Sequence, residues 1–357
     1  MNSQTETVGL GPSLVGSRGL RASVSLLPGY LPGLALAGTI TACAYVCDAA
    51  FGVPLMVTAL VLGLAVHELP LGKAYAAGID FAARPLLRAG VAMLGAGITA
   101  QQIAPLGLAT VLLAMSGVAA TLACGILVAK ALGLDRASGL IYGGSVAICG
   151  ASAAMAISAV LPDTERNRAT TAVAVVGVTV LSTIAMVAYP LIATALGMSD
   201  HQAGIFFGAA IHDVAQVVGA GYTVSDLAGE TATIVKLIRV ACLIPVVGGM
   251  TWLAARSVGA ASEGAGRAMP SILPWFLVGF VVLSAIASSG VVPEAVLDGV
   301  SGAAKIMLVT AIAALGCKTS LTALLRIGVR PVLMLVMPTL ALMTGILACL
   351  LALPDTF

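Results

Sequence analysis

The chain has 357 residues, of which 60% are hydrophobic and only 9% charged, with a mean hydropathy of +1.10. A soluble domain carries about 25% charged residues, so this balance excludes an ordinary soluble enzyme and indicates an all-α polytopic membrane protein. The net charge of +2 gives nucleic-acid binding no support, and continuous rather than two-periodic apolar runs exclude a transmembrane β-barrel.

Residues 1–29 form a polar, Gly/Pro-punctuated tail with Arg18 and Arg21, ahead of a transmembrane domain over 30–353. Ala42-Cys43-Ala44 loosely imitates a signal-cleavage site, but the run reads as an uncleaved first span. Eleven apolar segments are predicted, at about 30–47, 53–67, 85–103, 105–129, 138–160, 169–197, 203–220, 231–255, 271–289, 303–323 and 331–353. Pro54, Pro105, Pro274 and Pro331 lie near segment starts, where a missing N–H costs little. Aromatics are only 4%, so helix contacts must rely on small residues that allow close approach in lipid.

Placing the N-terminus inside puts 12 of the 17 Lys and Arg on the inside. It leaves Arg166, Arg168, Lys236, Arg239 and Lys305 outside. An odd count leaves the C-terminus outside; a ten-span alternative returns it inside. Arg84 to Gly107 aligns with Lys305 to Gly328 at a constant offset of 221. The third span runs outward and the tenth inward, the behaviour of an inverted repeat with halves at about 30–160 and 169–353. Ile148-Cys149-Gly150 can also be laid on Ile211-His212-Asp213, yet both lie in outward-running spans. Either the count is off by one or the two are not repeat mates.

Those two tripeptides lie in the most informative segments, Gly143–Ser152 and Gly208–Gly221, where apolar helices are interrupted by Gly and polar residues. Such backbone at membrane depth survives only against protein or a water-filled cavity, and it points to the site of a secondary transporter. If the first helix breaks at Gly150, its second half presents free N–H groups to an anion, with Ser145, Cys149 and Ser152 alongside. The same residues would also serve as a small-residue packing face.

His212 and Gln216 are one turn apart, with Asp213 next to them. An ionisable pair within a membrane segment needs a partner or a function. His212 and Asp213 either carry a proton or glue two helices as a neutral pair. Lys236 and Arg239 share a helix face and offer a seat for an oxyanion, or else are an ordinary positive flank. Arg84, Arg88 and Lys305 read as membrane-edge charges. Lys318, inside an apolar segment, is a candidate for lining the path. Asp163, Glu165, Arg166 and Arg168 read as a solvated loop. The seven scattered cysteines contain no Cys-x-x-Cys pair, so no metal site is expected. The phosphate-binding loop Gly-x-x-x-x-Gly-Lys-Ser/Thr, His-Glu-x-x-His and Gly-x-Ser-x-Gly are absent, and no cofactor is expected.

Leu87 to Gly95, the Ile-Cys-Gly-x-Ser core within Gly144 to Ser152, Ile211-His212-Asp213 with Gln216-Val217 and Gly219-Ala220-Gly221, and Lys236-Leu237-x-Arg239-Val240 together resemble the YeiH family. These are bacterial inner-membrane proteins carried under a sulfate-exporter label and grouped with cation/proton antiporters and bile-acid symporters. The resemblance implies inverted repeats, broken crossing helices, an inner-membrane location and a homodimer.

The expectation is a secondary transporter of a small sulfur oxyanion, such as sulfate or a sulfonate, with a cytoplasmic N-terminus. Its partners are a small anionic solute and the lipid bilayer. Ser145, Cys149, Gly150, Ser152, Gln216, Lys236 and Arg239 would bind substrate, and His212 and Asp213 would couple transport to protons. The alternatives are a passive anion channel or a transporter of another small organic anion. An intramembrane enzyme using Asp213 with His212 lacks a second catalytic Asp in a recognisable motif.

Overall fold

A computed structural model describes residues 18–70, 72–257, 274–320 and 322–357. Most of the polar tail and Arg267 lie outside the described residues. Among those described there is no strand. The first helices are α1 (Arg18–Phe51) and α2 (Leu55–His67). A composite pass follows, built from α3 (Ala76–Phe81), a π turn over Ala82–Leu86 and α4 (Leu87–Leu94). The π turn holds Pro85, whose ring cannot donate to the ordinary helical ladder. Next come α5 (Ala100–Ile103), α6 (Gly107–Ala131), α7 (Arg136–Ala147), α8 (Ala151–Val160) and α9 (Glu165–Ala195). Then follow α10 (Asp200–Ala210), α11 (Val214–Val224), α12 (Asp226–Ala241) and α13 (Leu243–Ser257). The last are α14 (Trp275–Ser288), α15 (Glu294–Lys318), α16 (Ala323–Arg326) and α17 (Val329–Ala352). Among the described residues, six runs are long and apolar enough to cross a membrane: 29–51, 107–131, 165–195, 226–252, 294–318 and 329–352. The chain is an all-α polytopic membrane protein.

All eleven predicted segments contain helix, but two of them double back instead of crossing. A side chain at Gly144 would run into Ile157. On a straight helix, residues 13 positions apart lie roughly 20 Å from each other. Helices α7 and α8 are therefore the two arms of a hairpin. Its base is closed by an ion pair, Arg166 to Asp135 at 3.4 Å. In the second segment, Gly204 packs on Ala228 and Thr231, and Gly208 on Ala232 and Val235, so α10 runs parallel to α12. Gly221 meets Gly229 across the turn at Ser225, so α11 runs antiparallel to α12. Helices α10 and α11 thus form a second hairpin.

Short polar caps place these arms. The Ser138 N–H donates to Asp135 at 2.9 Å, Asn167 N–H to Thr164 at 3.1 Å and Ala228 N–H to Ser225 at 3.1 Å. Ser199 and Gln202 form a capping box ahead of α10. Each cap satisfies an amide that the helix leaves unpaired. Outside the membrane, the Ser138 bond holds the Asp135 carboxyl below its ordinary range.

Helix α9 spans between the two hairpin bases, so the hairpins enter from opposite faces and their tips meet at mid-depth. This resolves the conflict in the sequence count: Ile148-Cys149-Gly150 and Ile211-His212-Asp213 are opposed tips, 63 positions apart. The same offset carries α9 onto α12 and α13. The offset of 221 carries α2, α6 and the end of α4 onto α14, α17 and the end of α15. Gly107 and Gly328, at φ +63 and +94, open the matching long helices. Because the first hairpin returns to its starting face, Arg166 and Arg168 lie on the face assigned to the N-terminus, not the opposite one.

In a cysteine-free background, Arg136→Cys and Glu165→Cys, both exposed, should react with a membrane-impermeant thiol reagent from the same face. Labelling from opposite faces would restore a crossing helix.

Candidate functional site

Each hairpin tip is a helix interrupted at membrane depth. The first turns at Gly150, whose φ of 63 and ψ of −126 favour glycine. A Cβ there would lie 3.6 Å from the Asp213 Cβ and 3.8 Å from the His212 carbonyl, so the tips touch. The second tip is extended through Ile211 and Asp213 without a glycine.

Interrupting a helix leaves carbonyls at one end and amides at the other. The carbonyl ends of α7 and α10 converge on two cations from α12. Lys236 Nζ donates to Ile148 O at 2.6 Å, to Ile211 O at 3.0 Å and to His212 O. Arg239 Nε donates to Ala147 O at 3.0 Å. Its Nη1 donates to Gly208 O at 3.1 Å and Ile211 O at 2.8 Å, and its Nη2 to Val146 O at 2.9 Å and Ala147 O at 2.7 Å. Both side chains are fully buried. Their positive charge opposes the negative dipole ends of both helices. With every N–H of the ammonium and the guanidinium taken by backbone, neither serves as the anion ligand expected from sequence.

The amide ends lie on the other side. Ala151 and Ser152 at the start of α8, and Asp213 and Val214 at the start of α11, line a cavity of about 970 Å³. Cys149, Arg84, Arg88 and Lys318 also line it. Arg84 and Arg88 are one turn apart on one face, with Arg84 exposed and Arg88 half-buried. Among the described residues, Arg88 makes no hydrogen bond or ion pair, while Lys318 pairs with Asp80. The Asp213 N–H donates to Ser182 Oγ at 3.0 Å. Its carboxylate stands beside the Val214 and Ala215 amides, within range of the charges of Lys236 and Arg88, and makes no capping hydrogen bond.

Other expected site residues lie behind the tips. His212 is sealed between Val146 O, 3.2 Å from Nδ1, and Thr339 Oγ1, 3.0 Å from Nε2. Ser145 Oγ donates to Tyr142 O at 2.7 Å within its own helix. Gln216 donates to Thr183 Oγ1 at 3.3 Å, and its own carbonyl is buried without a partner. None of the three lines the cavity. Arg84 and Arg88, read from sequence as edge charges, do line it. Their spacing of four within an apolar segment was the available signal.

The family model described as Conserved hypothetical protein 698 matches residues 32–335, and the chain belongs to that family. The UPF0324 membrane protein TauZ of Paracoccus denitrificans is 44% identical over 90% of this chain and 94% of its own length. The UPF0324 membrane protein RB0971 of Rhizobium meliloti is 43% identical over 90% of this chain and 93% of its own. The UPF0324 membrane protein CT0845 of Chlorobaculum tepidum is 42% identical, covering 88% and 87%. No solved structure matches the chain.

Lys236→Met would leave two buried carbonyls, those of Ile148 and His212, without a donor, because Ile211 O keeps its bond from Arg239. At about 1–3 kcal/mol for each unsatisfied group, it should lower the thermal midpoint markedly. Arg84→Gln, at an exposed cavity-lining position, should leave the midpoint nearly unchanged. Equal thermal midpoints for Lys236→Met and the parent would remove the clasp role.

Proposed function

We propose that this member of the family is a secondary active transporter that exports a small sulfur oxyanion, such as sulfate or a sulfonate, across the bacterial cytoplasmic membrane together with a proton. One observation carries the reading: the two interrupted helices have their carbonyl ends closed by Lys236 and Arg239, and their amide ends directed at a cavity that Arg88 also lines. Helix N-termini with a nearby cation favour an anion. Interrupted helices meeting at mid-depth are the usual seat of a transported solute.

Asp213 supplies the coupling. When ionised, its carboxylate faces the α11 amides and Arg88, occupying the positive field an anion would use. When protonated, it releases that field. One proton therefore accompanies one anion, by simple charge competition. His212, bonded at both nitrogens and away from the cavity, ties the tip to α17 through Thr339. With Arg166 and Arg168 reassigned, the face of the N-terminus carries 14 of the 17 Lys and Arg instead of 12. The positive-inside rule makes that face cytoplasmic.

Thermal stabilisation of the purified protein should be measured against sulfate, sulfite, thiosulfate, taurine, sulfoacetate and carboxylates. A ligand of the folded state at a hundred times its Kd adds about 2.7 kcal/mol. Shifts confined to sulfur oxyanions are expected; shifts with carboxylates alone would overturn the substrate assignment. In proteoliposomes, Asp213→Asn should reduce pH-gradient-driven flux at least tenfold while the folded protein remains in the membrane. Unchanged gradient-driven flux would remove the coupling role, and flux without saturation would indicate a passive channel.

A further inference from the structure

The walls of the cavity narrow the substrate class. Resting on the anion-transport reading above, we infer that the occupant is an organic monoanion with an apolar body, a sulfonate bound head-first, rather than inorganic sulfate.

Size is the first argument. A cavity of about 970 Å³ lies at the upper end of those that hold drug-sized ligands. A five-atom dianion would fill a small corner of it. Each of its four oxygens would also need hydrogen bonds to replace the water it gave up.

Charge is the second argument. Lys318 spends its charge on Asp80, and Arg84 is exposed. The half-buried Arg88 is the cation left for a ligand. Asp213 lines the same cavity within range of the Arg88 charge and competes with a ligand for it, so little positive charge is left for a dianion. One anionic head, held by Arg88 and the start of α8, matches this balance.

The third argument is the apolar lining. Met155, Val176, Leu243, Trp275 and Phe276 all face the cavity. All five are apolar, so this part of the cavity wall offers a second charged group no partner. Such surface gives an inorganic ion nothing, whereas it rewards every methylene of an organic body. Met155 adds an adaptable contact, able to follow bodies of different shape.

The test is equilibrium binding to the protein in lipid nanodiscs, with empty nanodiscs subtracted. The probes are sodium sulfate, the linear alkanesulfonates from methane- to hexanesulfonate, and 1-hexanol as a neutral control. Affinity should rise about fourfold with each methylene, with sulfate the weakest anion and hexanol not detectably bound. Arg88→Gln should weaken every sulfonate at least tenfold, and Met155→Gln should flatten the chain-length series. A flat series with sulfate equal to hexanesulfonate would overturn this inference and leave anion transport standing. Hexanol binding as tightly as hexanesulfonate would make the cavity a lipid-tail groove and overturn it as well. No binding of sulfate or of any alkanesulfonate would overturn both readings.

Discussion

A backbone carbonyl or amide at the centre of a bilayer must find a partner within the protein. The arrangement of this molecule follows from how it meets that demand at two interruptions. Lys236 and Arg239 meet it for the carbonyls of both hairpins at once, from one face of α12. Removing either cation would strand carbonyls in both tips. The pair therefore fixes where the tips sit, how closely they approach and which ends of the helices remain available.

The ends that remain available are the amide ends, and the consequence is chemical. Had water or side-chain hydroxyls satisfied the carbonyls, the tips would carry no net preference for charge. Two buried cations instead cancel the negative dipole ends and leave the positive ones uncompensated. Asp213 is the residue that precedes α11, and it lines the cavity with Arg88. Packing supports this geometry through small residues. Gly143 lies against Gly125 and Gly221 against Gly229, so the hairpin arms approach their neighbours backbone to backbone.

Hydropathy made the helical segments and both interruptions legible in the sequence, because apolar length and glycine placement are local signals. The direction of the chain was not local. Two arms of ten to twelve residues with a short break have the length and composition of a single span. Nothing in residues 138–160 alone distinguishes a hairpin from a crossing helix. That ambiguity placed Arg166 and Arg168 on the wrong face. The chemistry of the site was half legible. Asp213, Cys149 and Ser152, which line the cavity, and Gly150, where the first tip turns, stood out in the sequence as polar and glycine residues in an apolar run. Lys236 and Arg239 were legible as a pair, but a charge pattern does not reveal that their donors are taken by backbone carbonyls. Arg84 and Arg88 were passed over because a cation near a segment start resembles an ordinary membrane flank.

The clasp also has an electrical side. The basic groups of Lys236 and Arg239 are held at mid-depth, bonded to both hairpins from α12. On the transport reading proposed above, an alternating-access movement that carries the tips along the membrane normal would carry the net charge of these groups and Asp213 through the transmembrane field. The potential then does work of about 2.3 kcal/mol per charge for each 100 mV crossed. An inside-negative membrane would pull the loaded tips toward the cytoplasmic face and resist their outward stroke. In that cycle the resting voltage would act through two residues that lie outside the cavity lining.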